Sequence, residues 1–116
     1  MTARVPCLFC KIVTGEVPAT VVRREDGFLA FADIAPKAPV HLLVIPERHV
    51  ASIAGVEGLD RSERAAMLSF IAATAREAGL EEGGYRVTTN HGPDARQSVA
   101  HLHWHIMGGA RLSESM

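Results

Sequence analysis

The chain lacks most features that would mark it for a membrane, for nucleic acid or for an oxidising compartment. None of its apolar runs approaches the ~20 residues of a membrane-spanning helix. The opening MTARVPC holds no apolar stretch of the signal-peptide kind, so the expected location is cytoplasmic and no membrane partner is expected. Basic charge is not in excess: 12 Lys and Arg stand against 13 Asp and Glu, for a net charge of −1. A general nucleic-acid binder needs a basic surface to displace counterions, so nucleic acid is not an expected partner. There are only two cysteines, three positions apart in CLFC, which in a cytoplasmic protein suit a metal or redox pair better than a structural disulfide. Repeats, low-complexity tracts and linkers are also missing. What remains is 116 residues, 47% hydrophobic and 22% charged, the composition of one globular domain spanning 1–116.

The expected elements follow from period and punctuation. CLFCKIVTG reads as a short turn or helix stopped by Gly15 and Pro18. Two runs rich in Val, Phe and Leu flank Asp26-Gly27 in ATVVRREDGFLAFAD, the signature of a hairpin. The near-continuous apolar VHLLVIP is a third strand, buried on both faces and ended by Pro46. From Asp60 to Ala78 the period becomes helical. Asp60 caps with Glu63 three positions on, Met67, Leu68, Ile71, Ala72 and Ala75 form the apolar stripe, and Gly79 stops it. YRVTTN is a fourth strand, HGPDARQS a polar loop, and the stretch after it a fifth strand. The expected class is α+β, with an antiparallel meander sheet, one long helix and a short N-terminal helix.

That last stretch is HLHWHIMGG, residues 101–109. Strict alternation predicts a half-buried strand, with Leu102, Trp104 and Ile106 facing a core and His101, His103 and His105 facing the other way. Histidines two apart on a strand are roughly 6.6 Å apart at Cα and the outer two roughly 13 Å. Neighbours can share a small metal ion, but all three cannot, since zinc–nitrogen bonds are about 2.0–2.1 Å. The row therefore suits an extended ligand or a mixture of roles. The plain alternative is three histidines on a solvated face. The chemical one is an anion site, because imidazole donates hydrogen bonds near neutral pH and is a competent nucleophile toward phosphorus.

His-φ-His-φ-His-φ-φ is the motif of the histidine-triad nucleotide hydrolases and transferases. CLFCKIVTGEVPA, FLAFADIAPKAPVHLLVIPERHV and NHGPDARQSVAHLHWHIMGG also resemble the corresponding stretches of the Hint-type branch, in order and over nearly the whole chain. The resemblance implies a homodimer whose sheet is continuous across two subunits. It implies a purine nucleotidyl hydrolase acting on nucleoside phosphoramidates or adenylated compounds through a nucleotidyl-histidine. Two other readings stay open: a dinucleoside polyphosphate hydrolase, and a nucleotide-binding regulatory protein with incidental slow turnover.

Carried over by matching position, His103 is the nucleophile and His105 contacts phosphate oxygens. His41 supports the triad, or is simply a satisfied core histidine. Asn90, Ser98 and Gln97 line the phosphate site, and Asp33 holds the ribose hydroxyls. Phe9, Phe31 and Ile34 match the walls of a purine pocket, their plain reading being ordinary core. Cys7 and Cys10 have the spacing of half a zinc site, a redox pair or two buried thiols being the alternatives. Some bacterial members of the family complete such a pair with two histidines, which fall here on His49 and His101, giving a structural zinc site that leaves His103 and His105 free. The chain departs from the family pattern at two points. The tail GGARLSESM is short and carries no aromatic residue, and Arg96 stands where glycine is common, either contacting phosphate or pointing to solvent.

Overall fold

The computed structural model describes residues 7–114. Helix α1 (Leu8–Thr14) begins at Cys7, whose Sγ accepts from the Cys10 N–H, and ends at Gly15, a left-handed position with φ 85°. Strands β1 (Val21–Glu25) and β2 (Phe28–Ala32) form the expected hairpin. Both turn residues have positive φ, 57° at Asp26 and 86° at Gly27. That pair suits the right-handed twist of the strands, and Asp and Gly tolerate it best. Strand β3 (Val40–Pro46) pairs with β2 on one side and β5 (Trp104–Gly108) on the other. A 3-10 turn over Ile53–Gly58, unforeseen from the sequence, leads to the long helix α2 (Arg61–Glu77). Its N-terminus is the expected capping box: Asp60 accepts from Glu63 N–H, and Glu63 accepts in return from Asp60 N–H. Strand β4 (Tyr85–Thr89) closes the far edge.

The sheet is antiparallel throughout, in the order β1-β2-β3-β5-β4. The first three strands meander. After α2 the chain returns at the outer edge, and β5 fills the gap beside β3, so the sequence order is not kept in the second half.

The pleat sorts side chains into two cores. Leu42 and Val44 of β3, with Phe28 and Ala30 of β2, join Met67, Phe70, Ile71 and Ala75 of α2. Leu43 and Ile45, with Leu29 and Phe31, join Phe9 of α1 on the opposite face. The alternation in β3 therefore reads as continuous burial, as expected for a strand covered on both sides. The helix stripe is shifted from the expected one. Leu68 is 59% exposed, and Phe70 is buried in its place, stacked near Phe28 with ring centroids 5.8 Å apart. Thr74 is buried too, its hydroxyl satisfied by the Phe70 carbonyl.

The histidine stretch departs from expectation in extent. The regular strand starts only at Trp104, and His101 to His103 approach it as a separate segment, tied by Leu102 N–H to the Val50 carbonyl. The alternation itself holds: Leu102 and Ile106 are fully buried in the α2 core, with Trp104 packed against it. The other side is not solvated, however, because α1 covers it and buries His101 and His103. Among the described residues, no helix is long and apolar enough to cross a membrane.

Candidate functional site

Two histidine clusters lie on the α1 face of the sheet, with His103 between them. The first joins α1 to two segments distant from it in the chain, those carrying His49 and His101. Cys7 Sγ is 3.3 Å from His101 Nδ1, Cys10 Sγ is 3.3 Å from His49 Nδ1, and the two Nδ1 atoms are 3.2 Å apart. Cys10 Sγ lies 3.6 Å from His101 Nδ1. A tetrahedral ion with bonds of about 2.0–2.1 Å to nitrogen and about 2.3 Å to sulfur sets its ligand atoms about 3.3–3.8 Å apart. The four donors thus have nearly the spacing such an ion imposes, and two thiols with two imidazoles are a zinc-type set. Their outer contacts fit as well. His101 Nε2–H donates to the Pro46 carbonyl at 2.8 Å, which places the lone pair on Nδ1, toward the sulfurs. The Cys10 N–H donates to Cys7 Sγ at 3.3 Å, which fixes the sulfur's position. Burial holds the His101 pKa below its ordinary value, and the Pro46 hydrogen bond only partly opposes this. A neutral ring is the state a metal needs.

The second cluster is Asp33, His41 and His105. His105 faces Leu43 across the β3–β5 ladder, and His41 is its diagonal neighbour two positions along. His41 Nε2 is 2.9 Å from His105 Nδ1 and 3.4 Å from Asp33 Oδ2. His41 Nδ1 accepts from the Lys37 backbone N–H at 3.0 Å. A neutral His41 must then carry its proton on Nε2 and donate it to His105 Nδ1, so His105 carries its own proton on Nε2. Burial lowers the His41 pKa, with Asp33 opposing. Burial also pushes His105 down to about 4, helped by the neighbouring His103 and His41. At neutral pH His105 is therefore an uncharged hydrogen-bond donor.

His103 belongs to neither cluster. Its Nδ1–H donates to the His101 carbonyl at 2.7 Å, which leaves Nε2 as the nitrogen with the free lone pair. Its ring stands edge-on to Phe9, 5.1 Å between centroids, and 5.2 Å from His105.

Two cavities meet at His103, His105 and Ser98. The smaller, about 270 Å³, is walled by Phe9 and Phe31 and has Asp33 at its polar end. The larger, about 880 Å³, is lined by Lys37, His41, Asn90, Arg96 and the β4 residues Thr88 and Thr89. Of the residues singled out from the sequence, Phe9, Phe31, Asp33, Asn90, Ser98, His41, His103 and His105 all border one cavity or both. Ile34 also borders the smaller one, but it is 97% exposed and forms its lip rather than a wall. Gln97 does not border either cavity. Its amide is spent on the loop backbone, donating to the carbonyls of Ala51 and Val99 and accepting from Gly92 N–H, so it braces the loop instead. The Lys37 N–H and Pro46 carbonyl, which fix the histidine tautomers, left no mark in the sequence because any residue supplies a carbonyl and all but proline an N–H. Thr88 was legible in principle, since it pairs with His105 on the same face.

Comparison with known proteins agrees with this arrangement. The sequence model of the HIT domain matches residues 14–112. An uncharacterized HIT-like protein of Synechococcus elongatus is 42% identical over 106 residues, covering 91% of this chain and 92% of that protein. The crystal structure of a HIT family hydrolase from Legionella pneumophila superposes with a TM-score of 0.89 at 44% identity, over 95% of this chain and 98% of that one. A histidine triad nucleotide-binding protein from Candida albicans superposes with a TM-score of 0.79 at 28% identity, over 96% and 86%.

Proposed function

This chain belongs to the HIT domain family, and we propose that it is a purine nucleotidyl hydrolase that works through a covalent nucleotidyl-His103. The observation that carries the reading is the 2.7 Å hydrogen bond from His103 Nδ1–H to the His101 carbonyl. It holds the ring in the tautomer a nucleophile needs, and the same carbonyl stabilises the cation that forms on attack. The nucleoside sits in the smaller cavity against the packed pair Phe9 and Phe31, and Asp33 accepts from the ribose hydroxyls. The substrates are nucleoside phosphoramidates or related adenylated compounds.

In the first step His103 Nε2 attacks the α-phosphorus. The N–P bond forms, the bond to the leaving group breaks, and the leaving nitrogen takes a proton from water. His105 Nε2–H and the side chains of Asn90 and Ser98 hold the phosphate oxygens as charge develops. Water then attacks the same phosphorus, the N–P bond breaks, and a nucleoside monophosphate leaves with His103 restored. The proton taken in the first step is returned in the second. Positioning and charge stabilisation supply most of the catalysis in such transfers.

Zinc is the metal that the Cys7, Cys10, His49 and His101 set fits, and its role is structural, with all four positions filled by protein. It fastens α1 to the segment that carries His103. A homodimer completes the reading. Strand β4 is a sheet edge that exposes Tyr85 and Val87, and Leu68 of α2 is exposed as well, an apolar edge of the kind that pairs with a second copy. Light scattering at micromolar concentration should return twice the chain mass.

The mechanism is tested by stereochemistry. A substrate made chiral at the α-phosphorus by sulfur substitution, turned over in labelled water, should give net retention, since two in-line displacements each invert. Net inversion would mean that water attacks directly and His103 is only a base.

A further inference from the structure

We propose that Arg96 and Lys37 select substrates whose leaving group is a carboxylate-bearing amine. The inference rests on the reading of His103 as nucleophile and deepens it. The two cavities share only Ser98, His103 and His105. A nucleotide seated in the smaller one, with its α-phosphorus at His103, therefore directs whatever else that phosphorus carries into the larger one. The larger cavity is about three times the volume, so it has room for more than a small amine.

Its charges have a sign. Lys37 and Arg96 line it with one acid, Asp94, an excess of one positive charge among these three groups. Arg23, Arg24, Arg48 and Arg76 are all paired with glutamates. Among the described residues neither the Lys37 ammonium nor the Arg96 guanidinium has such a partner. Both are open to a ligand.

The backbone at Arg96 gives a separate argument. Arg96 has φ 61° and ψ 39°, a left-handed conformation that glycine adopts without strain. Among the described residues the other non-glycine residue with positive φ is Asp26, in a hairpin turn that tolerates Asp. Arg96 is a long side chain held in an unfavourable conformation, at the mouth of the cavity that borders the nucleophile. Local stability does not account for it; a guanidinium placed to grip a carboxylate does, by its forked donors.

The test compares three substrates on the full-length protein as purified: the adenosine 5′-phosphoramidate of glutamate, that of its neutral isostere glutamine amide, and a diadenosine polyphosphate. The wild-type kcat/KM should favour glutamate over the isostere by about tenfold, the scale of one charge-assisted contact, mainly through KM. Arg96→Gly and Arg96→Gln should both lower that ratio severalfold, adding Lys37→Gln should bring it close to one, and Arg96→Lys should keep most of it. Arg96→Gly should also raise the thermal midpoint by a few degrees, because it relieves the left-handed arginine. A purely structural arginine would not give loss of selectivity together with gain of stability. Faster turnover of the polyphosphate than of the glutamate compound would assign the anion to phosphate and overturn the carboxylate. Equal turnover of glutamate and isostere by the wild type, or a ratio unmoved in both variants, would overturn the inference and leave the hydrolase reading standing. No turnover of any of the three would remove that reading, and this inference with it.

Discussion

Two groups of metal-capable side chains face the same side of the sheet, and in each the donor atoms all lie within 4.8 Å of one another. The first could hold a metal ion, and the second is arranged around a proton. The difference lies in what touches the far nitrogen of each ring. His101 donates its Nε2–H to a carbonyl, that of Pro46, so its lone pair turns inward to the cysteines. His41 accepts at Nδ1 from an N–H, that of Lys37, so it turns a proton inward to His105. A metal at the second cluster would need a lone pair where His41 carries hydrogen. His103, between them, follows the His101 pattern, with a carbonyl acceptor and a lone pair left over, but its free nitrogen belongs to a ring that borders cavities rather than thiols. Proximity alone would have called both clusters metal sites; the backbone contacts separate them.

The contrast can be broken in order of effect. His103→Ala should lower turnover by about 10³-fold or more, the scale of losing a covalent nucleophile. Nucleotide binding, followed by calorimetry, should survive because Asp33 and the apolar cavity remain. A Cys7→Ser variant should lose its metal by elemental analysis and unfold several degrees lower, since binding energy at such a site is folding energy. Its turnover should fall by much less than that of His103→Ala. Conversely, His41→Ala should keep the metal and the fold but lower kcat by about 10- to 100-fold, because His105 loses the donor that fixes its tautomer and orientation. If His41→Ala stripped the metal, or Cys7→Ser matched His103→Ala in turnover, the division between the clusters would fail.

The smallest effect is on pH dependence. His41, His101 and His105 are all held below the ordinary histidine value, His105 at about 4. The unfolded chain takes up protons from about pH 6.5 downward while these rings do not. Their contribution to stability is therefore complete above about pH 6.5 and is lost as pH falls toward about 4. Urea midpoints of wild type and Cys7→Ser should both drop over that window. The wild type should drop more steeply, because its bound metal is released as well.

Much of this was legible in the sequence where the signal is local. Asp26-Gly27 fixed the hairpin, Asp60 and Glu63 the start of α2, and the alternation of Leu102, Trp104 and Ile106 the buried side of the last segment. What escaped is tertiary. Leu68 and Phe70 are both apolar and both near the stripe, and only the β1–β2 hairpin lying across α2 decides that Phe70 goes in. The burial of the histidine row depends on α1, which is distant in sequence from it. Gln97 has the right chemistry and the right address for a phosphate ligand, yet three unsatisfied backbone groups nearby claim its amide first.

The metal-type cluster draws Cys7 and His101 together across 94 positions of chain. Closing so long a loop is entropically costly and cannot precede the sheet that spans it, so the four donors converge late in folding. An ion bound there would act as a clasp on the finished molecule and not as a seed for it. It should leave the folding rate nearly unchanged and slow unfolding. Stripping it should shorten the lifetime of the native state more than it delays its formation.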